Sequence, residues 1–113
     1  MTEQEIIDKY TVPPTPAYID WHEISAHETL SEDFIRKYAD RVNWNYISYY
    51  QTLSEDFIRE FKDRVFWSGI SHNQKLSENF IREFVDCVDW VWISAKQTLS
   101  DEFREEFKHK LRV

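Results

Sequence analysis

The sequence predicts an all-α fold, a right-handed α-solenoid of four helical hairpins with capping ends. One observation is a phrase that the chain repeats, as TLSEDFIRK at 29–37, TLSEDFIRE at 52–60, KLSENFIRE at 75–83 and TLSDEFREE at 98–106. The other is the composition. Hydrophobic residues make up 42% of the 113 residues and glycine occurs once, which supplies a core but few tight turns.

The repeat has a constant step of 23 residues. Tryptophan, isoleucine and serine keep this step at Trp21, Trp44, Trp67 and Trp90, at Ile24, Ile47, Ile70 and Ile93, and at Ser25, Ser48, Ser71 and Ser94. Leucine, serine and phenylalanine keep it at Leu30, Leu53, Leu76 and Leu99, at Ser31, Ser54, Ser77 and Ser100, and at Phe34, Phe57, Phe80 and Phe103. A fixed period of this kind is typical of architectures in which each copy packs against a neighbour.

The second half of each unit has the pattern of an amphipathic helix. In the first copy Ser31 is a good N-cap, and Glu32 and Asp33 place negative charge in the first turn. Apolar residues then recur at helical spacing, at Phe34, Ile35, Tyr38 and Val42. The pattern predicts a helix of about eleven residues.

The first half of the unit leaves two alternatives. The spacing of Trp44, Ile47, Ser48 and Gln51 follows one face of a helix of about eight residues, which would complete a hairpin. Residues 88–93, VDWVWI, are rich in β-favouring types and partly alternate. The alternative is therefore a strand-plus-helix repeat solenoid, and the 3.6-residue spacing of the unchanging positions favours the helix.

The two ends of the chain depart from the repeat. Arg104 occupies the position of an internal isoleucine, and residues 1–20 match the repeat only in part before a proline-rich segment. A stack of repeats must end in a polar face. We therefore expect a degenerate N-terminal capping unit with a proline loop at 1–20, followed by four repeats at 21–113 in one domain.

Composition and charge exclude several classes of function. The net charge of −7 argues against direct nucleic-acid binding, which needs a basic face. No apolar run approaches the length of a membrane span, and the N-terminus lacks the pattern of a signal peptide. The single cysteine, Cys87, allows no internal disulfide. We therefore expect a cytoplasmic protein without a membrane partner.

The phrase W-x-x-I-S-x-x-Q-x-L-S-E-x-F-I-R-E, as in 44–60 and 67–83, resembles a short tandem repeat of bacteriophage and giant-virus proteins. The resemblance extends from about residue 21 to the C-terminus. It implies a phage or viral source, and therefore the cytoplasm of a host cell. That repeat family has no common activity, so the resemblance brings no catalytic residues with it.

No residue pattern predicts catalysis, a cofactor or a metal site. The recurring serines have no histidine at a fixed offset, so we expect them to allow close packing and to hydrogen-bond to helix carbonyls. His22 and His27 diverge around a helix, and Cys87 falls on a solvated face. The glutamines of the repeat, Gln51, Gln74 and Gln97, are expected to bond to the backbone or to one another along the stack.

Positions that vary between copies are the predicted functional residues. They flank the first helix of each hairpin on the side away from its packed face, and several are aromatic. Aromatic side chains are enriched at protein interfaces. The candidates for partner binding are Tyr46, Tyr49, Tyr50, His72 and Trp92. The leading hypothesis is a non-enzymatic repeat protein that binds a protein partner. Because the resemblance implies a phage or viral source, we expect that partner to be a host protein.

Two alternatives belong to other classes. Carboxylates that recur at the 23-residue step could imitate phosphates and block a host nuclease or another nucleic-acid-binding protein. The acidic-face candidates are Glu32, Asp33, Glu55, Asp56 and Glu78. A homo-oligomer formed by end-to-end stacking is the second alternative, which Arg104 and the basic C-terminal segment oppose.

Overall fold

The computed structural model describes residues 1–13 and 18–111, and this part of the chain is mostly helical. It begins with helix α1 (Glu3–Lys9), which Thr2 caps through a reciprocal pair of hydrogen bonds with Glu5. Two short strands follow, β1 (Thr11–Val12) and β2 (Tyr18–Ile19). The predicted proline loop falls largely on residues 14–17, outside the described residues.

The two strands correct the prediction of an all-α fold. They pair antiparallel, with Thr11 opposite Ile19 and Val12 opposite Tyr18. All four strand residues are β-branched or aromatic, which suits an extended backbone, and pairing satisfies backbone groups that no helix covers. The periodic pattern of the repeats gave no signal for this sheet because it lies outside them.

In the described residues that follow, eight further helices alternate between two kinds. The first kind, the Trp helices, begin at a repeated tryptophan and are α2 (Trp21–His27), α4 (Trp44–Tyr50), α6 (Trp67–Asn73) and α8 (Trp90–Lys96). The second kind, the Ser-capped helices, follow a repeated serine and are α3 (Glu32–Lys37), α5 (Glu55–Glu60), α7 (Glu78–Glu83) and α9 (Asp101–Glu106). The Trp segment is therefore helical in every copy, and within residues 88–93, where a strand was the alternative, the helix begins at Trp90.

The Ser-capped helices begin as predicted but end early. In each one the serine hydroxyl accepts a hydrogen bond from the backbone N–H three residues on, at 3.0–3.1 Å. The α-helix then spans six residues rather than about eleven. In the first copy Tyr38 leaves the helical region, with φ −111° and ψ 29°, and residues 38–41 form turns. The apolar spacing continues through the turn, because the N–H of Val42 still bonds to the carbonyl of Tyr38.

The repeated tryptophan and serine satisfy the backbone groups that this break exposes. A continued helix would bond the N–H of Asn43 to the carbonyl of Ala39. Instead the indole N–H of Trp44 donates to the Ala39 carbonyl at 2.9 Å, and the N–H of Asn43 donates to Ser25 Oγ of the preceding copy at 3.0 Å. The Ser25 hydroxyl itself donates to the Trp21 carbonyl, as the sequence predicts. The indole bond to a turn carbonyl recurs at Trp67 and Trp90. The backbone bond to the serine hydroxyl recurs at Ser48 and Ser71. These contacts explain why both residues repeat.

Aromatic rings join the two helices of each unit. Trp44 lies 6.2 Å from Phe57 and 5.1 Å from Phe61 between ring centroids, and the two phenylalanines lie 4.8 Å from each other. The other three units form the same triad with nearly the same distances. Phe57 is fully buried, as are its counterparts in the third and fourth copies. Trp44 and Phe61 are half-buried and pack against the buried core of the unit, to which Phe57 belongs.

Successive copies are tied together through the Trp helices and the glutamines. Each Trp helix contacts the next along a molecule that measures 57 × 22 × 22 Å. Gln74 is buried; its side-chain oxygen accepts from the N–H of Leu53, and its amide donates to the carbonyls of Ser48 and Gln51. The prediction that the glutamines bond to backbone along the stack is confirmed. These three side-chain bonds of Gln74 all go to the preceding copy.

Candidate functional site

The outer face of the middle Trp helices carries almost no formal charge. The sequences of α4 and α6, WNYISYY and WSGISHN, contain no Asp, Glu, Lys or Arg. Their inward side is fixed by Ile47 and Ile70, both fully buried. The outward side is therefore an uncharged surface in a protein with 31% charged residues.

The five predicted partner-binding residues lie together on this face. Their rings form a continuous row in which each contacts the next. The centroid distances are 5.9 Å for Tyr46–Tyr50, 5.6 Å for Tyr50–Tyr49, 4.9 Å for Tyr49–His72 and 4.3 Å for His72–Trp92. The row runs across three copies, from α4 through α6 to α8. Neighbouring-helix packing and surface exposure coexist here, because Tyr49, His72 and Trp92 are half-buried while Tyr46 and Tyr50 are exposed.

A cleft opens at the α4 end of this row. It has a volume of about 210 Å³, and we call it the aromatic cleft; its walls are Asn45, Tyr46, Tyr49, Tyr50 and Phe66. Three of its rings are unusually open to solvent for large apolar side chains, with exposures of 40% for Tyr46, 60% for Tyr50 and 43% for Phe66. Contiguous exposed apolar surface of this kind marks interaction sites more often than single exposed residues do.

Phe66 is the residue of the cleft that the sequence-based prediction of the site missed. It occupies the N-cap position of α6, where the other Trp helices have Asp20, Asn43 and Asp89, each with a side-chain capping bond. Phe66 makes no such bond. A polar N-cap contributes about 1 kcal/mol, so its replacement by an exposed phenylalanine loses stability without filling the core. The sequence does contain a signal for Phe66, since it is the residue that replaces a polar N-cap before the repeated tryptophan.

Gly69 shapes the floor beside the cleft. It is buried, and a Cβ at this position would lie 3.2 Å from the Cβ of Ser48 and 3.4 Å from Cδ2 of Tyr49. The other copies have Glu23, Tyr46 and Trp92 at this position. The absence of a side chain at Gly69 thus lets the Tyr49 ring lie close against α6, where it stacks on His72.

Three of the acidic-face candidates serve to join copies. One oxygen of Glu55 accepts from the backbone N–H of Ser77 at 2.6 Å, and the other accepts from the Ser77 hydroxyl at 3.0 Å. Glu32 and Glu78 form the same pair of bonds with the serine of the next copy. The bonds from Ser100 hold the pKa of the Glu78 carboxyl below its ordinary value, because they stabilise the charged form.

The other two acidic candidates are paired with arginine. Asp56 is almost fully exposed, and it accepts from Arg59 at 2.8 Å; the same guanidinium bonds to Glu83 of the next copy through Nε at 2.9 Å. Asp33 and Arg36 repeat this arrangement with Glu60. We call this series of arginine–carboxylate pairs the charged ladder. Its bonds raise the pKa of the Arg59 guanidinium, and they place positive charge beside each exposed aspartate.

A larger cleft lies near the N-terminal end, and its side chains suggest no particular chemistry. Its volume is about 530 Å³, between β2 and the starts of α2 and α4. The side chains of His22 and Asn43 hydrogen-bond each other across it at 2.6 Å. Among the described residues, no group of three His, Cys, Asp or Glu side chains is placed to hold a metal ion. Cys87 is exposed, on the solvated face where the sequence places it.

Comparison of the chain with models of known families, with curated proteins and with solved structures found no match in any of the three. In the described part of the chain, no helix combines the length and the apolar character needed to cross a bilayer.

Proposed function

We propose that this chain is a non-enzymatic repeat protein that binds a protein partner through the outer face of its Trp helices. The observation that carries the proposal is the aromatic cleft together with the row of rings that continues from it. Large aromatic side chains bury much area at little cost in side-chain entropy, which is why they dominate the energetic centres of protein interfaces. The capping bond lost at Phe66 supports the same proposal, because packing and local helix stability do not favour a phenylalanine there.

The finer architecture belongs to the same proposal. We take the repeated helix packing to form a right-handed α-solenoid of four units at 21–113, with residues 1–20 as a capping unit. The repeated bonds between each copy and the next support this description, since solenoid units contact only their neighbours. Such stacks present one continuous side surface, on which residues from several copies act together.

The source and location are proposed from the sequence. The resemblance to repeats of bacteriophage and giant-virus proteins supports a viral chain that acts on a host factor in the host-cell cytoplasm. The single cysteine, Cys87, is in keeping with a reducing compartment.

The acidic-mimic alternative receives less support from the contacts. A mimic of nucleic acid needs carboxylates that stay unpaired and face a basic partner. Glu32, Glu55 and Glu78 bond to serines of the next copy, while Asp33 and Asp56 each have an arginine beside them. The electrostatic field at the Ser-capped helices therefore comes from positive and negative charges together.

Self-assembly by end-to-end stacking is also less favoured. The last copy has Arg104 where internal copies have a buried isoleucine, and it has Glu105 where they have the arginine of the charged ladder. A further copy stacked here would meet a charge in place of an apolar contact and a carboxylate in place of a guanidinium. Both changes oppose the contacts that join copies inside the chain.

Affinity capture with a matched pair of variants tests the proposal. The tagged chain, a Tyr46→Leu/Tyr50→Leu variant and a Tyr18→Leu control are each incubated with host-cell lysate, and bound proteins are quantified by mass spectrometry. Tyr18 is 60% exposed but lies in β2, outside the row of rings. We expect a protein that the chain and the control retain and the cleft variant loses. Equal retention by all three would overturn the proposal.

A further inference from the structure

We propose that the aromatic cleft takes a cationic side chain, an arginine presented by a basic protein partner. The inference rests on the proposed function, because it names the chemistry of the partner that this surface binds. Three observations on the described residues lead to it: rings at the cleft are exposed, no lysine or arginine lies over them, and the side-chain polar groups at the cleft form no hydrogen bond.

The rings of the cleft are inclined to one another. The planes of Tyr46 and Tyr50 meet at 80°, and those of Tyr49 and Tyr50 meet at 54°. In the edge contact the rim of one ring lies against the face of the other, so the contact covers only one ring face of the pair. The negative face of an aromatic ring attracts a cation within about 6 Å of the ring centre. A group that enters the cleft therefore meets ring faces from more than one direction.

The protein already pairs cations with aromatic rings elsewhere in the fold. Guanidinium groups lie 5.2 Å from the ring centroids of Phe57, Phe80 and Phe103, and each comes from the preceding copy. Lysines lie over Tyr10, Tyr38 and Trp90 in the same manner. In the described residues none of these contacts involves a ring of the cleft. The helices around it contain no lysine or arginine, so its ring faces are left for a cation from another molecule.

The polar atoms at the cleft suit a guanidinium. Within the part of the chain that the structure describes, the hydroxyls of Tyr46, Tyr49 and Tyr50 and the side-chain amide of Asn45 form no hydrogen bond. Oxygen acceptors beside ring faces match a planar group that stacks and donates several N–H bonds at once. A lysine ammonium stacks less well and is more strongly hydrated, so arginine fits better.

Overall charge favours the same partner. The chain carries −7, so a basic surface approaches it with favourable long-range electrostatics. The uncharged cleft presents no cation to repel an arginine, and its volume of about 210 Å³ accommodates a side-chain head rather than a segment of chain.

The test uses three short Gly/Ser peptides that differ only at the central residue, which is arginine, its neutral isostere citrulline, or leucine. Binding to the full chain is followed by NMR shifts of the tyrosine ring resonances. We expect the arginine peptide to bind about fivefold more tightly than either of the others, the size of one cation–π contact at a partly exposed site. The preference should disappear in Tyr46→Leu/Tyr50→Leu and persist in Tyr18→Leu. Circular dichroism of each variant checks that the fold is intact.

Several results would overturn the inference. Binding of the leucine peptide at the cleft as tightly as the arginine peptide would show that the anchor is apolar. An arginine preference that survives in the cleft variant would assign it to general attraction by the net charge. In either case the proposed function is judged separately, by whether the captured partner is lost with Tyr46 and Tyr50. The captured partner could depend on these tyrosines while the arginine peptide causes no shift of their resonances. That result would support the proposed function and overturn the inference that the cleft binds arginine.

Discussion

The Ser-capped helices and the outer faces of the Trp helices follow opposite rules. On the Ser-capped helices even the surface residues recur, because Glu55 bonds to Ser77 and Arg59 bonds to Glu83 in the next copy. On the outer faces of the Trp helices the residues change from copy to copy. The difference teaches that repetition in this chain records contacts that successive copies share, and that variation marks positions on which no shared contact depends.

The variation is also unevenly distributed. The middle copies place Tyr46, Tyr49, Tyr50 and Phe66 around one cleft, while the first copy has Glu23, Ala26 and His27 at the positions of the three tyrosines and Asn43 at that of Phe66. Random drift on a solvated surface would favour polar residues. The clustering of large aromatics in one place is therefore the pattern that the proposed binding surface predicts.

The largest effect is expected from the core. Phe57→Ala should lower the free energy of unfolding by about 3–5 kcal/mol, because the ring is fully buried between Trp44 and Phe61. Tyr50→Ala on the outer face should change it by no more than about 0.5 kcal/mol. Urea denaturation followed by circular dichroism measures both. Similar losses for the two variants would contradict the division between the faces.

A smaller effect is expected from the buried glutamine. Gln74→Ala leaves the N–H of Leu53 and the carbonyls of Ser48 and Gln51 without their partner, and it should cost about 2–3 kcal/mol. Gln97→Ala removes the corresponding bonds at a half-buried position, where water can replace them, so it should cost less. Thermal unfolding of the two variants side by side gives the comparison. An equal or larger loss for Gln97→Ala would show that burial does not set the cost.

A gain in stability is expected at the cleft. Phe66→Asp restores the polar N-cap residue that α6, the third Trp helix, lacks, and it should stabilise the fold by about 1 kcal/mol. The matched change in the opposite direction, Asn43→Ala, should destabilise by a similar amount. Partner binding should weaken in Phe66→Asp. Loss of stability in that variant would mean that Phe66 serves the fold rather than the surface.

The smallest effect concerns pH. The carboxyl of Glu28 has its pKa lowered by hydrogen bonds from Lys9 and Tyr10, and that of Glu78 by bonds from Ser100. A lowered pKa in the folded state contributes stability above the ordinary value of 4.5 and loses it as the pH falls through the folded value. Stability should therefore decline below about pH 4.5 and decline less steeply in Glu78→Gln. Unfolding curves between about pH 6 and pH 3 check this, and identical slopes would argue against the Glu78 contribution.

The period and the helix starts could be predicted because they depend on local signals. The serine caps, the helical spacing of the Trp segment and the role of Gln74 all follow from residue type and position. The early end of the Ser-capped helices could not be predicted, since Tyr38 and Phe61 keep helical spacing while the backbone between them and the next valine forms a turn. The bond from the Trp44 indole to Ala39 and the bond from Asn43 to Ser25 Oγ satisfy the backbone groups at that break. These are contacts between segments.

The candidate site was predictable in part for the same reason. Variation between copies pointed to Tyr46 and Tyr50, whose position on an outward face follows from the helix period. That Phe66 completes a cleft with them required the distance between two adjacent Trp helices, which the sequence does not contain. The charged ladder could not be predicted from the sequence either, because Arg59 and Glu83 are 24 residues apart and meet only when copies stack.

The central claim, that the variable aromatic face binds and the repeating charged face does not, is tested most directly by titration calorimetry of the captured partner against two variants. One changes the cleft, Tyr46→Leu/Tyr50→Leu; the other removes exposed carboxylates, Asp33→Asn/Asp56→Asn. The account predicts that the cleft variant raises the dissociation constant at least about tenfold, equivalent to about 1.4 kcal/mol, while the aspartate variant leaves it nearly unchanged. The reverse pattern would contradict the account and assign binding to the acidic face.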